Sequence, residues 1–232
     1  GYLPEAMVNH LALSGWSPGS DQEIYSLDDL LAAWSLERCS AANAIFDRQK
    51  LLWLNGYYLR RLQTPDLARR AWPFMARAGL VGEVPSAEDL ARLEAAVGLE
   101  QERLKTLGEA PETLAFFYRD PEPEGSLALL ETDRFARRHT PAEHGAALQA
   151  LVEAAEALPA EEWTAPRVEG LLEGQVEALG WKRGEVYMPV RIAASGRTAT
   201  PSLPETLALL GREAVLRRLG ALVALLAERA AR

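Results

Sequence analysis

Cysteine is almost missing from this 232-residue sequence, since Cys39 is the only one. An internal disulfide framework is therefore excluded, and we expect a cytoplasmic protein. Three histidines and one cysteine leave almost no material for a Cys/His zinc site. No stretch approaches the ~18 consecutive apolar residues of a membrane span. The first residues also lack the basic start and apolar core of a signal peptide, so we expect no membrane partner.

Positive charge is in deficit as well. The 25 Lys and Arg residues face 33 Asp and Glu residues, for a formal net charge of −8. This balance argues against non-specific binding to nucleic acid, and we expect no DNA partner. Any face that binds nucleic acid must be a local basic patch on an acidic body. The hydrophobic share of 48% is typical of a folded soluble protein, with room for one to three domains.

Motifs of enzyme active sites are missing too. The sequence has no glycine-rich phosphate loop, no serine nucleophile elbow, no His-Glu-x-x-His and no paired cysteines at metal-binding spacing. An unrelated helical enzyme therefore has little support, because neither a nucleophile with its base nor a metal site is visible.

What the sequence does contain is a succession of helix signals, so we predict an all-α fold. Helices begin at a proline or at a capping box, in which a Ser or Thr is followed three residues later by an acidic residue. The segment Asp120–Gly125 has the composition of a linker. The stretch from Trp181 to Leu203 shows no clear helical pattern. The predicted helix starts lie at Pro4, Ser26, Asp47, Thr64, Ser86, Pro111, Ser126, Thr140, Pro166, Pro204 and Arg212.

The helix predicted after Asp47 carries two kinds of surface. On a helical wheel, one stripe is apolar and forms the core seam: Leu51, Leu54, Tyr58 and Leu62. A second, broad face mixes aromatic and basic residues: Lys50, Trp53, Tyr57, Arg60 and Arg61. Basic groups neutralise phosphates and aromatic rings stack on bases, so this face suits RNA. Packing of both rings against a neighbouring domain, with the charges solvated, is the alternative that this face alone favours.

Two further places are candidates for contact with RNA. Arg103 lies on the flank of an apolar stripe, so its stem can be buried while its guanidinium reaches a base edge. An ion pair with Glu100, three residues earlier, is the structural alternative. The stretch Met188–Gly196 and the residues that follow it are basic and hydroxyl-bearing. Free backbone N–H groups there suit a phosphate or a flipped base, unless the stretch is a plain loop between helices.

Several ordered segments of this chain resemble the part of bacterial glutamate–tRNA ligases that follows the active site. The resemblance extends over nearly the whole chain, so we treat it as specific. It implies a stem-contact helical domain at 1–63 and two helical anticodon-binding domains at 64–123 and 124–232, in an elongated arrangement. The matching segments are Gly1–Ala6, Gly15–Ser17, Glu23–Leu27, Ile45–Asp47, Trp53–Gly56, Trp163–Thr164, Met188–Ala193 and Leu209–Glu213.

The resemblance also implies roles for individual residues. Lys50 and the Trp53 face would touch the inner side of tRNA(Glu). Arg103 occupies the position of an arginine that reads the third anticodon base and separates glutamate tRNA from glutamine tRNA. Arg191, Thr200 and Leu203 match positions that hold the other anticodon bases. We therefore expect tRNA(Glu) as the partner of a monomeric protein.

The resemblance does not extend to the catalytic half of these ligases. The His-x-Gly-His motif, the lysine-rich signature loop and the nucleotide-binding sheet are missing from the sequence, so we expect this chain not to activate glutamate. ATP and Mg would bind in that catalytic half, and we expect no cofactor in this chain. A detached helical scaffold that binds proteins and no RNA is the alternative, and the net charge of −8 fits it.

Overall fold

The computed structural model describes residues 1–40 and 45–231 and confirms the all-α prediction. No strand occurs in this described part, where Trp16 and Cys39 form only an isolated bridge. Short 3-10 turns connect several of the helices. Within the same residues, no helix has both the length and the apolar content needed to cross a membrane. The α-helices are α1 (Pro4–Gly15), α2 (Leu27–Ala33), α3 (Arg48–Leu59), α4 (Thr64–Arg77), α5 (Ala87–Glu100), α6 (Ala110–Leu114), α7 (Pro123–Thr132), α8 (Pro141–Ala157), α9 (Ala165–Leu179), α10 (Arg183–Ser195), α11 (Leu203–Leu210) and α12 (Arg212–Ala230).

Four of the predicted start signals are confirmed in their geometry, whereas the helix predicted to start at Ser126 begins at Pro123. Capping boxes open α2, α5 and α8, with the hydroxyl of Ser26, Ser86 or Thr140 accepting from the backbone N–H three residues later. The carboxylate of Asp47 accepts from the backbone N–H groups of Gln49 and Lys50 and so caps α3. Each cap satisfies donors that the first helical turn would leave unpaired.

The helix α10 corrects the prediction that residues 181–203 lack helical structure. It runs through Pro189 and ends at Gly196, whose φ of 66° is left-handed. The apolar pattern was obscured because α10 is buried on several sides, with Val190, Ile192 and Ala194 all in the core. The backbone N–H groups predicted to be free at 188–196 therefore lie inside a helix, and that candidate phosphate site is wrong.

The first of two compact units comprises Gly1–Leu114. Its core includes Leu3, Leu51 and Leu54, and Asn55 is fully buried among them. The side chain of Asn55 accepts from the backbone N–H of Leu3 at 2.7 Å and donates to the carbonyl of Lys105. One amide thereby joins the start of the chain to the segment that follows α5.

The C-terminus of α3 is held from α5. The amide of Gln101, the residue after α5, donates to the carbonyls of Leu59 and Leu62 at 2.8 and 2.9 Å, and the Leu59 carbonyl also accepts from the Leu62 N–H in the turn after α3. These bonds connect residues on both sides of the predicted boundary at 63/64. The division into three domains stays a prediction, and the structure itself separates two units.

The second unit comprises Ala115–Arg232, with α12 packed along α8 as its main helix pair. The predicted linker Asp120–Gly125 lies inside this unit, which corrects its assignment. The Asp120 carboxylate accepts from Arg217 at 2.7 Å and from Arg218 at 2.8 Å, and α7 already begins at Pro123. The proline and glycine content there reflects a helix start rather than a flexible connection.

Candidate nucleic-acid interface

The outer face of α3 carries a column of two aromatic rings and a guanidinium. The side chains of Trp53, Tyr57 and Arg61 are four residues apart, the spacing that stacks neighbours along one helix face. The two ring centroids are 6.4 Å apart, and Cζ of Arg61 lies 3.6 Å from the Tyr57 centroid. The indole of Trp53 is the open end of this column, since Trp53 remains 48% exposed.

The buried side of α3 determines that this column faces outward. Leu51, Leu54 and Leu59 are buried, so the core seam includes Leu59 where the sequence pattern predicted Leu62. The hydroxyl of Tyr58 is 2.6 Å from the carbonyl of Tyr25 and contacts the Asn9 side chain, and burial raises the pKa of Tyr58. These contacts prevent rotation of α3, because turning it would break a buried polar network.

Basic groups border the column and already have partners. Nζ of Lys50 is 2.6 Å from the carboxylate of Glu23, and Nε of Arg60 is 3.9 Å from that of Glu102. Exposed ion pairs of this kind contribute only about 0–1 kcal/mol, so phosphate groups can compete for both cations. The structure thus brings Trp53, Tyr57 and Arg61 into one column and pairs Lys50 and Arg60 with carboxylates, while contact of all five residues with RNA stays a prediction.

Arg103 lies just beyond the end of α5 and not within it. The sequence predicted Arg103 on the flank of an apolar helical stripe, but α5 ends at Glu100, and the turn that follows carries Arg103. Its Nη1 is 3.3 Å from the carboxylate of Glu100, which is buried, while the Arg103 side chain stays 47% exposed. The ion pair and the outward side chain therefore coexist: the buried carboxylate holds one edge of a guanidinium whose side chain stays about half exposed.

The structure brings Arg191 and Thr200 together through hydrogen bonds within the protein, and Leu203 follows three residues after Thr200. Nη1 of Arg191 donates to the carbonyls of Thr200 and Pro201, at 3.1 and 3.0 Å, and contacts the Thr200 hydroxyl. Thr200 and Leu203 are 4% and 2% exposed. In this conformation the two side chains offer almost no surface to a base, so their role in anticodon binding stays a prediction that needs local opening.

A cleft of about 290 Å³ lies beside this region, within the second unit. It is lined by Phe116, Arg119, Gly196 and Arg197, and the Arg197 guanidinium lies 5.7 Å from the Phe116 ring. Arg197 directly follows the basic stretch Met188–Gly196 that the sequence indicated, whereas the sequence analysis missed Phe116 and Arg119. No motif connects these residues, because packing of the 3-10 turn Ala115–Phe117 against α10 brings them together.

Comparisons with known proteins agree with this arrangement. A family model described as an anticodon binding domain matches residues 66–223, which is more than half of the chain. A glutamate–tRNA ligase of Herpetosiphon aurantiacus is 40% identical over 226 residues, and one of Roseiflexus castenholzii is 43% identical over 227. This chain belongs to the anticodon-binding domain family of glutamate–tRNA ligases. It spans less than half the length of these curated relatives, 44% and 43% of them, while 97% and 98% of the chain is covered.

Solved glutamate–tRNA ligases have the same fold in the matching part. The crystal structure of a glutamate tRNA ligase from Elizabethkingia meningosepticum, in complex with its amino acid, superposes with a TM-score of 0.79 and 25% identity. The match covers 97% of this chain and 42% of that one. A glutamate-tRNA synthetase from Elizabethkingia anophelis gives a TM-score of 0.75 and 26% identity. The matching part of these ligases therefore has the same helical architecture as this chain.

Proposed function

We propose that this chain binds tRNA(Glu), with α3 contacting the inner corner of the tRNA and the Arg103 turn contacting the anticodon. The observation that carries the proposal is the exposed column of Trp53, Tyr57 and Arg61 beside Lys50. Stacking on the open indole is worth about 1–3 kcal/mol per base, and the nearby cations attract phosphate. The same proposal places a monomeric protein in the cytoplasm and names neither DNA nor a membrane as a partner.

The proposal assigns recognition to this chain and chemistry to the rest of a ligase. ATP and Mg would bind in the N-terminal part that the longer relatives have, and attachment of glutamate to tRNA would need that part. We expect no glutamate-dependent exchange of pyrophosphate into ATP by this chain alone. Turnover in that assay would overturn the assignment.

A filter-binding titration with tRNA(Glu) and tRNA(Gln) transcripts at several salt concentrations tests recognition. We expect retention of tRNA(Glu) that weakens steeply with salt, because released counterions oppose binding. Trp53→Ala should weaken binding about 5- to 150-fold, the equivalent of one lost stacking contact of about 1–3 kcal/mol. The matched control is Trp34→Ala, since Trp34 is similarly exposed but lies at the end of α2.

The control should bind tRNA(Glu) as the unmodified chain does. Equal losses from both substitutions would show that general instability, and not stacking at α3, weakens binding. Failure to retain any tRNA at low salt would favour the protein-binding scaffold.

A further inference from the structure

A pocket of about 310 Å³ lies within the second unit, where α7, α8, α12 and the 3-10 turn Ala136–Arg138 meet. Its lining is separate from that of the cleft beside Arg197. Apolar side chains make up half of this lining, and a few charged or ring-bearing side chains complete it, a combination that is typical of sites for small molecules. The lining residues are Leu127, Leu130, Glu131, Arg137, His139, Pro141, His144 and Leu226.

The floor of the pocket is apolar. Leu130 of α7 and Leu226 of α12 are 3% and 1% exposed, so both belong to the core of the unit. Leu127 and Pro141 are partly buried and extend this apolar wall toward solvent. An apolar cavity of about 150 Å³ binds benzene. A pocket of about 310 Å³ therefore has room for two fused rings or for a chain of similar size.

The carboxylates that line the pocket or adjoin its lining residues are already engaged with other groups of the protein. Their charges are therefore at least partly compensated before any ligand binds. The contacts are Glu131 with Nε of Arg229 at 3.1 Å, Glu185 with Nη1 of Arg138 at 3.0 Å, and Glu143 with the backbone N–H of Thr140 at 2.7 Å.

Arg137 is the basic group whose charge these contacts leave over. Its side chain is exposed, so it lies at the rim of the pocket. In the part of the chain that the structure describes, its guanidinium has neither an ion pair nor a hydrogen bond. A guanidinium at the edge of an apolar pocket suits a carboxylate, because it can donate two parallel hydrogen bonds to the two carboxylate oxygens.

Stacked rings hold another wall of the pocket in place. The ring of His139 lies against that of Trp181, with centroids 3.5 Å apart and planes 12° from parallel. His144 is 2% exposed and meets both rings edge-on, at 5.7 and 5.8 Å. Trp181 thus covers one face of His139, and the pocket borders the imidazole from another side. Because this wall is ordered by contacts within the protein, binding a ligand against it costs little further loss of side-chain freedom.

We propose that this pocket binds a small apolar carboxylate. The ring or chain of the ligand covers Leu130 and Leu226, and its carboxylate pairs with Arg137 at the rim. The inference goes beyond the proposed function and does not depend on it, because no residue of the proposed RNA interface lines the pocket.

Isothermal titration calorimetry with naphthoate tests the proposal, and naphthamide serves as an uncharged probe of the same shape. We expect naphthoate to bind at one site and naphthamide to bind at least fivefold more weakly, because the amide lacks the charge that strengthens hydrogen bonds from Arg137. Arg137→Gln should weaken naphthoate binding at least fivefold. Arg134→Gln is the matched control, because Arg134 is an exposed arginine of the same segment outside the pocket lining, and it should change the affinity less than twofold.

Blocking the pocket provides a second test that does not depend on charge. Leu127→Trp places a large ring in the pocket and should abolish binding of naphthoate. Leu129→Trp should keep it, because Leu129 is also partly buried on α7 but lies outside this lining. Circular dichroism checks that both variants fold. If Leu127→Trp does not fold, Arg137→Gln decides the question, since its position is exposed.

Three results would overturn the proposal. The first is no binding of naphthoate at millimolar concentration. The second is equal affinity for naphthoate and naphthamide, because the pocket would then select only apolar shape. The third is unchanged naphthoate binding in Arg137→Gln together with loss of tRNA(Glu) binding, because Arg137 would then contact RNA. Failure of the unmodified chain to bind tRNA(Glu), with naphthoate binding intact, would refute only the proposed function.

Discussion

Substitutions at Glu100 and Arg103 can separate two effects, recognition of an anticodon base and stability of the fold. In Arg103→Gln, the proposed bidentate contact with a base is lost, at a cost of about 1–3 kcal/mol. This corresponds to a fall of about 5- to 150-fold in the preference for tRNA(Glu) over tRNA(Gln). The same substitution removes a cation from beside a carboxylate that is 1% exposed.

The stability cost of this change follows from the exposure of the pair. Breaking a fully buried pair costs about 3–5 kcal/mol, because the remaining charge is desolvated. The Arg103 side chain is half exposed, so water screens the interaction, and about 1 kcal/mol remains. We expect the melting temperature of Arg103→Gln to fall by about 4 °C.

The double variant of Glu100→Gln and Arg103→Gln distinguishes the role of Arg103 in reading a base from its role in stability. Glu100→Gln keeps the shape of the side chain and removes its charge, so adding it to Arg103→Gln should restore most of the stability. Discrimination between the two tRNAs should stay lost in the double variant and be kept in Glu100→Gln alone. Competition filter binding and thermal unfolding measure the two effects, with Arg69→Gln, an exposed arginine of α4, as the control.

Equal binding of both tRNAs by the unmodified chain would refute this reasoning, since Arg103 would then read no base. Loss of discrimination in Glu100→Gln, without loss in Arg103→Gln, would refute it as well.

Three further predictions concern other residues. Arg61→Gln should reduce the slope of log binding constant against log salt concentration by about 0.7–0.9, the amount for one phosphate contact, in a salt titration with tRNA(Glu). Gly196→Ala should lower the free energy of unfolding in urea by about 1–3 kcal/mol, because φ of Gly196 is positive and an added Cβ would lie 2.8 Å from the Cβ of Pro121. The control Gly174→Ala should not destabilise the chain, because Gly174 faces open space on α9. Hydrogen bonding from Arg217 lowers the pKa of the Asp120 carboxyl to about 2 from 3.8. The stability that the ionised carboxylate contributes is therefore complete above about pH 4 and is lost as the pH falls through 2. Asp120→Asn should therefore lower stability by about 1 kcal/mol at pH 7, reduced by solvent screening of a half-exposed carboxylate, and the difference from the unmodified chain should vanish below about pH 2 in urea titrations.

Local signals accounted for most of the fold. Serine, threonine and aspartate caps act within four residues of themselves, so the starts of α2, α3, α5 and α8 could be predicted from the chain alone. The helix α10 could not, because Pro189 interrupts its pattern and burial on several sides removes the polar stripe that identifies a surface helix.

The residues of the candidate interface also divide into those that the sequence could predict and those that it could not. The pairing of Trp53 with Tyr57 follows from helical spacing, and Arg61 joins them because the turn after α3 continues nearly in the helical direction. The burial of Thr200 and Leu203 follows from contacts with α10 and neighbouring helices, which no spacing rule specifies. The turn at Arg103 likewise depends on where α5 stops, and the nearby Gly98 lies inside the helix and does not mark its end.

The ion pair between Asp120 and Arg218 has a consequence for the order in which the two units fold during synthesis. Arg218 also donates to the carbonyls of Ala194 and Arg119, so one guanidinium joins segments that emerge from the ribosome up to 99 residues apart. The first unit is already complete by Leu114 and can assume its structure while translation continues. The second must wait for α12, so a nascent chain halted before Arg217 would hold α8 without its main packing partner and be exposed to proteases.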